Sequence, residues 1–441
     1  MVRLENMKAV ILTGGKGKRL LPLTDQTAKG MVEIAGKPVL QHQIEALRRF
    51  GIFEFHMLTG YCAAGISEYF GDGNSFGVKI RYTQEHGPLG TAGAVKQLED
   101  VVKEDFFLVY GDLIFNLKFD DLVAFHFQKK RTATLVVQPT DHPQDSDLLS
   151  MDDQGKITEI FNKPHTNGFR GNLANAALYV LSPAIFSHIP SKGKSDFMKD
   201  VFPGMLRRSV PVYGYRTAEY IKDMGTSERL GRVTSDLESA DSLCLSKESP
   251  RPAVYLDRDG TLIKDKYLLH QSAEIELLPR VEDALRNLNH SIYLSILVAD
   301  QSAVARNFGK ISMGNKIHRK LEALLGIEGA YLDDIIFDPH HPDSPNQRGT
   351  QKERRASLCR KPNTGLIERA AHRHNIDLNA SWMIGDTTTD IATGIAAGMK
   401  TALVRTGKGG RDGKYRVEPD YVFNDLYEAS LFILKKRIKP G

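Results

Sequence analysis

The stretch SLCLSKESPRPAVYLD, at residues 242–257, decides how this chain is organised, because a regular pattern stops within it and then starts again. Serines and prolines mark its first part, and a short apolar run that ends in a carboxylate follows. On both sides, short β-branched runs alternate with amphipathic helical stretches, which is typical of mostly parallel α/β sheets. We therefore predict two tandem doubly wound α/β domains, residues 1–243 and 253–441, joined by a linker at 244–252.

The composition agrees with a globular protein that has two cores. The chain has 441 residues, of which 41% are hydrophobic and 26% are charged, and this length exceeds one ordinary domain. No apolar run is long enough to cross a bilayer, and residues 1–13 lack the apolar segment of a signal peptide. Cys62, Cys244 and Cys359 are too widely spaced for a disulfide framework. We expect a cytoplasmic protein without a membrane partner.

The charge distribution does not favour nucleic-acid binding. The formal net charge is only +5, and the densest basic run, QRGTQKERR at 347–355, contains no aromatic residue. A nucleic-acid site would combine a basic stripe with aromatic side chains on which bases can stack. We therefore expect small-molecule substrates as partners.

A glycine-rich turn follows the first predicted strand, KAVILT at 8–13. Its sequence, GGKGKR at 14–19, lets backbone N–H groups approach phosphate oxygens, and its basic side chains add positive charge. It fits neither GxxxxGK[ST] nor GxGxxG, so its geometry differs from those two phosphate-binding loops. The turn offers Gly14, Gly15, Gly17 and Lys18 to a nucleotide. Further along, VLQHQIEALRRFG at 39–51 is predicted as a helix, and FFLVYGD at 106–112 as a strand.

The continuation of this turn, up to residue 40, resembles the signature of the sugar-nucleotide pyrophosphorylases, which are nucleotidyltransferases acting on sugar 1-phosphates. The resemblance implies a Rossmann-like, GT-A-like domain in which Arg19 and Lys29 contact the triphosphate. It also implies that a homo-oligomer is a reasonable default. The family usually has prolines on both sides of this lysine, whereas Ala28 and Gly30 stand here.

Five later segments resemble the same family in the same order. They imply a base-reading loop at 85–94, a Mg²⁺-binding step at 110–112, a sugar-phosphate lysine at 162–164, a sugar-contacting strand at 175–183 and a second metal carboxylate at 220–226. The residues implied are Glu85, Gly90 and Thr91 for the nucleotide, Lys163 and Asn175 for the sugar phosphate, and Asp112 and Asp223 for the metal. Asp147 stands where the family usually has a glycine near the sugar.

The second half opens with a motif that carries its own chemistry. Asp257 and Asp259 follow the apolar run AVYL directly, so both carboxylates lie at the carboxyl end of a predicted strand, where α/β sheets bind ligands. One aspartate can attack phosphorus as a nucleophile. The other can protonate the leaving oxygen and then activate water.

This DxDGT motif resembles the haloacid dehalogenase-like phosphatases. IGDTTTD at 384–390 resembles their Mg²⁺ motif, which implies Asp386 as a metal ligand beside Asp257 and Asp259, and Asp390 as a ligand or a support. CRKP at 359–362 offers Lys361 as the cation that neutralises phosphate. Arg360 from the same segment is predicted to bind sugar phosphate.

Most of residues 253–410 resembles the D-glycero-D-manno-heptose 1,7-bisphosphate 7-phosphatases more narrowly. Such a domain would leave a heptose 1-phosphate, which belongs to the substrate class of the first half. The first half looks most like the heptose 1-phosphate guanylyltransferases. The two resemblances together imply a bifunctional enzyme that uses GTP and makes a GDP-heptose, although hexose 1-phosphates remain an alternative. Mg²⁺ is implied in both domains.

Two departures from the phosphatase pattern keep a second reading open. The usual zinc ligands C-x-H and C-x-C are reduced to His340 and Cys359, and a structural zinc ion requires four ligands, so we do not expect a complete zinc site. In addition, VADQS replaces the usual VTNQS, so Ala299 lacks a hydroxyl group and Asp300 adds an anion that repels phosphate. The alternative is a monofunctional nucleotidyltransferase with a weakened, regulatory phosphatase-like domain.

Overall fold

A computed structural model describes residues 7–85, 87–128, 131–152, 154–165, 171–239, 245–265, 274–300, 311–338 and 359–436. Within these ranges, none of the helices combines the length and the apolar character that a membrane crossing requires. The chain forms two compact units. The first comprises residues 1–138, 147–163 and 174–246, and the second comprises residues 139–146, 164–173 and 247–441.

The predicted linker contributes residues to both units. The N–H group of Tyr220 donates to the carbonyl of Leu245 at 2.9 Å, within the first unit. Arg251 donates its N–H to the carbonyl of Asn375 at 3.0 Å, within the second. The chain therefore leaves the first unit between residues 246 and 251.

The first unit is a mixed sheet with helices packed against it. Its strands are β1 (Lys8–Leu12), β2 (Glu33–Ile34), β3 (Lys37–Pro38), β4 (Glu54–Thr59), β5 (Lys79–Gln84), β6 (Phe106–Tyr110), β7 (Leu113–Asn116), β8 (Ala133–Pro139), β9 (Leu148–Met151), β10 (Ile157–Phe161), β11 (Leu173–Leu181), β12 (Tyr213–Arg216) and β13 (Tyr220–Asp223). Its helices are α1 (Val39–Arg49), α2 (Ala63–Phe70), α3 (Gly90–Lys96), α4 (Phe119–Phe127), α5 (Phe202–Arg207) and α6 (Ser227–Glu238).

Strand order in the first unit is β10-β9-β11-β6-β1-β4-β5 along the main path, while β8 pairs with β11 and β12 pairs with β8. The pairs β5–β4, β4–β1 and β1–β6 are parallel, as predicted, and Val10 and Ile11 are fully buried because both faces of β1 are covered. Beyond β6 the first sheet becomes mixed, since β11 runs antiparallel to β6 and β9 antiparallel to both β11 and β10, whereas β12 runs parallel to β8.

The second unit is a six-stranded parallel sheet between helices. Its strands are β14 (Ala253–Leu256), β15 (Leu294–Asp300), β16 (Asp334–Asp338), β17 (Trp382–Gly385), β18 (Lys400–Val404) and β19 (Tyr421–Phe423). Its helices are α7 (Val281–Asn289), α8 (Ile311–Ile327), α9 (Gly365–His374), α10 (Thr388–Ala396) and α11 (Leu426–Lys435). The order β16-β15-β14-β17-β18-β19 places the first strand of the unit at its centre, as in doubly wound folds.

Both sheets have a switch point beside their first strand. In the first unit the chain moves outward from β1 through β4 and β5, and then returns to the other side of β1 with β6. In the second unit β15 and β16 lie on one side of β14, and β17 lies on the other. The loops after adjacent strands diverge at such a point and leave a crevice at the carboxyl edge of the sheet, where α/β proteins bind ligands.

Candidate active sites

The glycine-rich turn lies at the switch point of the first unit, directly after β1. Gly17 has a φ of 58°, which favours glycine, and its carbonyl accepts the Thr24 hydroxyl at 2.8 Å. A Cβ atom on Gly14 would lie only 2.6 Å from Oε1 of Glu85. The predicted base-reading loop therefore starts against the turn. Burial raises the pKa of Glu85.

Lys29 and Asp112 come together across this crevice. The Lys29 ammonium group donates to a carboxylate oxygen of Asp112, which follows β6. The next residue, Gly30, packs so closely that a Cβ atom on it would lie 2.7 Å from the carbonyl oxygen of Gly111. A glycine at this position therefore avoids a steric clash between the lysine turn and the predicted metal-binding step.

Asp223 is placed next to Asp112 by strand pairing. In the antiparallel pair β13–β7, Asp223 lies opposite Leu113, and the N–H of Met224 donates to the carbonyl of Asp112 at 3.1 Å. Nη1 of Arg229 donates to both oxygens of Asp223, at 2.9 and 3.1 Å. Sequence reasoning missed Arg229, whose one signal was its position six residues after Asp223, in the first turn of α6.

Arg19 reaches the same cluster. A Cβ atom on Gly225 would lie 2.6 Å from Oδ1 of Asp223 and 2.8 Å from Nη2 of Arg19. Two carboxylates and basic side chains from three separate segments therefore converge near the glycine-rich turn. This donor set suits Mg²⁺ held by one or two carboxylates together with substrate phosphates.

The predicted sugar-phosphate residues lie around Asp147. Its carboxylate accepts the backbone N–H of Lys163 at 3.2 Å, and its carbonyl accepts the N–H of Asn175 at 3.0 Å. The Asn175 amide donates to the hydroxyl of Tyr179 at 2.9 Å and accepts the N–H of Ala177 at 3.2 Å. The aspartate that departs from the family pattern therefore connects the two residues implied by the resemblance.

The remaining nucleotide residues pack on a neighbouring loop. Gly90 has a φ of +74°, and a Cβ atom on it would lie 2.5 Å from the carbonyl oxygen of Ser195. The Thr91 hydroxyl donates to Asp196 at 3.2 Å. Asp196 is a second residue that sequence reasoning missed. Gly15 has open space where its Cβ atom would be, and Lys18 begins a short 3-10 turn, so both remain accessible to a ligand.

Three carboxylates converge at the switch point of the second unit. Asp257 follows β14, Asp386 follows β17, and Asp390 lies in the first turn of α10, and one oxygen of each lies within 4.8 Å of the others. Nζ of Lys361 donates to Oδ1 of Asp257 and to Oδ1 of Asp390, both at 2.5 Å. Burial raises the pKa of Asp257 well above its usual value, against the attraction of Lys361.

Asp386 is the best placed of the three to bind a cation. It is fully buried, and burial raises its pKa to about 6. Its Oδ2 accepts the N–H of Lys408 at 2.6 Å, whereas its Oδ1 is buried without a hydrogen-bond partner in the part of the chain that the structure describes. A buried carboxylate oxygen without a partner is unfavourable unless a cation or water satisfies it. The carboxylates therefore fit a hard divalent cation such as Mg²⁺.

Asp390 and Asp259 have different surroundings from those expected of ligands. Asp390 also accepts the hydroxyl of Thr387 at 2.6 Å through Oδ2, so both of its oxygens are engaged and it supports the site. The Asp259 carboxylate does not join the cluster, because it binds the guanidinium group of Arg258 at 2.7 and 3.1 Å. Its role as a metal ligand therefore stays a prediction, which this side-chain orientation does not by itself support.

Asp300 lies beside Lys361, the lysine predicted to neutralise phosphate. Its Oδ1 accepts the backbone N–H of Lys361 at 3.3 Å, and burial raises its pKa. Burial alone would lower the pKa of Lys361. Its pKa is nevertheless raised, because it lies near the negative charges of Asp257, Asp390 and Asp300. Nη1 of Arg360 is buried and has no hydrogen-bond partner within the described ranges. Cys359 is half-buried, and its proposed zinc partner His340 lies outside the described residues.

Comparison with known proteins matches both halves. Residues 8–240, more than half of the chain, match the nucleotidyl transferase family, and residues 358–429 match the HAD-hydrolase-like family. The chain therefore belongs to the nucleotidyl transferase family and carries a HAD-like domain after its transferase domain. The predicted α/β fold class is confirmed for both domains.

Three relatives illustrate the match. The chain is 30% identical to mannose-1-phosphate guanylyltransferase of Mycobacterium tuberculosis over 58% of its length and 70% of that protein. It is 26% identical to UTP–glucose-1-phosphate uridylyltransferase of Synechocystis over 78% of its length and 99% of that protein. It is 38% identical to D-glycero-D-manno-heptose-1,7-bisphosphate 7-phosphatase of Thermosynechococcus vestitus over 41% of its length and 94% of that protein.

Proposed function

We propose that this chain is a bifunctional enzyme of sugar-nucleotide synthesis. Its HAD-like domain removes the 7-phosphate from heptose 1,7-bisphosphate. Its transferase domain then transfers GMP from GTP to the remaining heptose 1-phosphate, which yields GDP-heptose and pyrophosphate. The observation that carries this proposal is the buried cluster of Asp257, Asp386 and Asp390, in which Lys361 donates to Asp257 and Oδ1 of Asp386 has no hydrogen-bond partner among the described residues.

Phosphate removal would proceed in two steps through Asp257. Its carboxylate attacks phosphorus and forms an aspartyl phosphate, while the bond from phosphorus to O7 breaks and Asp259 gives its proton to O7. Water then attacks the same phosphorus, Asp259 takes the proton, and inorganic phosphate leaves. This role requires the Asp259 carboxyl group to turn from Arg258 toward the substrate. Mg²⁺ held by Asp257 and Asp386 would offset the negative charge of the phosphoryl group.

Nucleotidyl transfer requires less covalent chemistry from the protein than phosphate removal does. An oxygen of the sugar 1-phosphate attacks the α-phosphorus of GTP, and pyrophosphate leaves. Because two anions must meet, the basic groups Arg19 and Lys29 stabilise the charge on the triphosphate and on the departing pyrophosphate. Asp112 and Asp223 would hold a Mg²⁺ ion that supplies further neutralisation. Lys163 and Asn175 orient the sugar phosphate.

The choice of sugar and base is supported by different relatives. The heptose rests on the phosphatase from Thermosynechococcus vestitus, which matches the second half at 38% identity. GTP rests on the mannose-1-phosphate guanylyltransferase relative, while a uridylyltransferase relative makes UTP the competitor to test.

The deciding experiment measures the two reactions separately in the full-length protein. Phosphate release from heptose 1,7-bisphosphate is followed with Mg²⁺ and no nucleotide. Pyrophosphate release from heptose 1-phosphate is followed with GTP or with UTP. We expect the first reaction to proceed and the second to prefer GTP. If heptose 1,7-bisphosphate releases no phosphate while pyrophosphate is formed, the bifunctional proposal is wrong.

One observation favours a second candidate, a transferase whose HAD-like domain has lost most phosphatase activity. Buried Ala299 offers no hydroxyl group, and Asp300 places a carboxylate next to Lys361, which must neutralise the phosphate. Extra negative charge at this point opposes the binding of a phosphoryl dianion.

Asp300→Asn should therefore raise kcat/KM for phosphate release. We expect a gain of about tenfold, which corresponds to about 1.4 kcal/mol of repulsion removed. The amide oxygen can still accept the N–H of Lys361, so the segment keeps its conformation. Asp377→Asn, in a surface turn, is the matched control and should change nothing. An unchanged or lower kcat/KM in Asp300→Asn would show that this carboxylate does not limit the reaction.

A further inference from the structure

We propose that the loop 406–410 is a positioning element that holds Asp386 with its Oδ1 toward a divalent cation and ties it to the loop that carries Asp257. None of the site residues predicted from the sequence lies in this loop. The inference rests on the proposed phosphatase function only for the catalytic role of the cation. Cation binding itself can be measured without any sugar phosphate.

The loop 406–410 contacts both Asp386 and the DxDGT segment that carries Asp257. After β18, the hydroxyl of Thr406 donates to the carbonyl of Gly260 at 2.6 Å, within the DxDGT segment. The N–H of Lys408 donates to Oδ2 of Asp386 at 2.6 Å, and the N–H of Gly410 donates to the carbonyl of the same aspartate at 2.8 Å. The loops after β14, β17 and β18 are thereby joined into one hydrogen-bonded unit.

Glycines make this close approach sterically possible. Gly407 has a φ of +57°, and a Cβ atom on it would lie 2.3 Å from Oδ2 of Asp386 and 2.6 Å from Cα of Gly260. Gly260 has a φ of +82°, and a Cβ atom on it would lie 2.4 Å from the same Oδ2. Two positive-φ glycines from distant segments therefore pack against one carboxylate oxygen, which accepts a backbone N–H from the loop.

The two carboxylate oxygens of Asp386 have different surroundings. Oδ2 is enclosed by glycines and bonded to a backbone N–H, so the carboxylate cannot rotate freely. Oδ1 is buried and has no hydrogen-bond partner among the described residues, and one oxygen of Asp386 lies within 4.8 Å of oxygens of Asp257 and Asp390. A group that fixes the orientation of a ligand in this way typically changes metal affinity by about 10- to 100-fold when it is lost. Thr406 is therefore proposed as a positioning residue, since its hydroxyl donates to the backbone carbonyl of Gly260.

The test measures Mn²⁺ affinity by calorimetry and by electron paramagnetic resonance in the full-length chain. All variants carry Asp112→Ala, so that the site proposed in the first unit does not contribute. Thr406→Val keeps the shape and removes the hydroxyl group, and we expect Mn²⁺ to bind at least about tenfold more weakly. Thr406→Ser restores the donor and should recover most of the affinity. Gly407→Ala should weaken binding at least as much, because it pushes on Asp386 directly.

Thr401→Val is the matched control. Thr401 lies on β18, the strand that precedes the loop 406–410. Its hydroxyl donates at 2.8 Å to Asp420, which is not part of the cluster of Asp257, Asp386 and Asp390, so its loss should leave Mn²⁺ affinity unchanged. The proposal is overturned if the parent chain binds no Mn²⁺, if Thr406→Val and Gly407→Ala both bind like the parent, or if Thr401→Val weakens binding equally. Because no sugar phosphate is used, these results are independent of whether the domain turns over heptose 1,7-bisphosphate.

Discussion

Asp257→Asn should abolish phosphate release from heptose 1,7-bisphosphate and leave nucleotidyl transfer intact. An amide cannot attack phosphorus, so we expect the rate to fall by at least about a thousandfold. The fold should survive, because the amide oxygen can still accept the ammonium group of Lys361, and one carboxylate less reduces the repulsion with Asp386 and Asp390. Both reactions are assayed in parallel on the same preparation, with Mg²⁺ present.

Asp425→Asn is the control for this substitution. Asp425 caps the N-terminus of α11 by accepting the N–H of Glu428 at 2.8 Å, and asparagine caps helices equally well. It should leave both activities unchanged. Retained phosphate release in Asp257→Asn would contradict the role of nucleophile.

Asp112→Ala should have the opposite effect, with nucleotidyl transfer lost and phosphate release retained. Removing this carboxylate leaves the Lys29 ammonium group without the acceptor that the structure shows, and it removes one of the two carboxylates proposed to hold Mg²⁺ at the triphosphate. Because stabilisation of charge dominates this chemistry, we expect pyrophosphate formation to fall by about 100- to 1,000-fold. The reaction is followed with GTP and heptose 1-phosphate.

Asp120→Ala, on the exposed side of α4, provides the comparison for this change and should keep both activities. The two substitutions Asp257→Asn and Asp112→Ala together test whether the chain has two independent sites. A single change that removed both activities while far-UV circular dichroism and thermal unfolding stayed normal would disprove that arrangement.

Short-range features of this chain were predictable because they depend on neighbouring residues. The buried strands β1, β6 and β14 end where glycines or carboxylates follow, and this pattern alone placed Asp112 and Asp257 at the carboxyl edges of sheets. Helix α1 was predicted from its apolar spacing and ends at Arg49, before Gly51 with a φ of +87°.

Strand direction was less predictable. The antiparallel pairing of β11 with β6 depends on partners that are more than 60 residues apart, so the local alternation of apolar runs carried no information about it. Gly30 could not be explained from the sequence for the same reason. A side chain at this position would clash with the carbonyl of Gly111, and this contact exists only in the folded chain.

By itself, therefore, the sequence determined the fold class, the two families and the residue types that end the central strands, because periodicity, turn residues and short motifs are local properties. Only the tertiary structure decided which oxygen of each carboxylate is engaged. It pairs Lys361 with Asp257 across 104 positions and Thr406 with Gly260 across 146, and it turns Asp259 toward Arg258. Such contacts depend on the rotamers and on the hydrogen-bond geometry at a crevice formed by distant loops, and no local pattern specifies these.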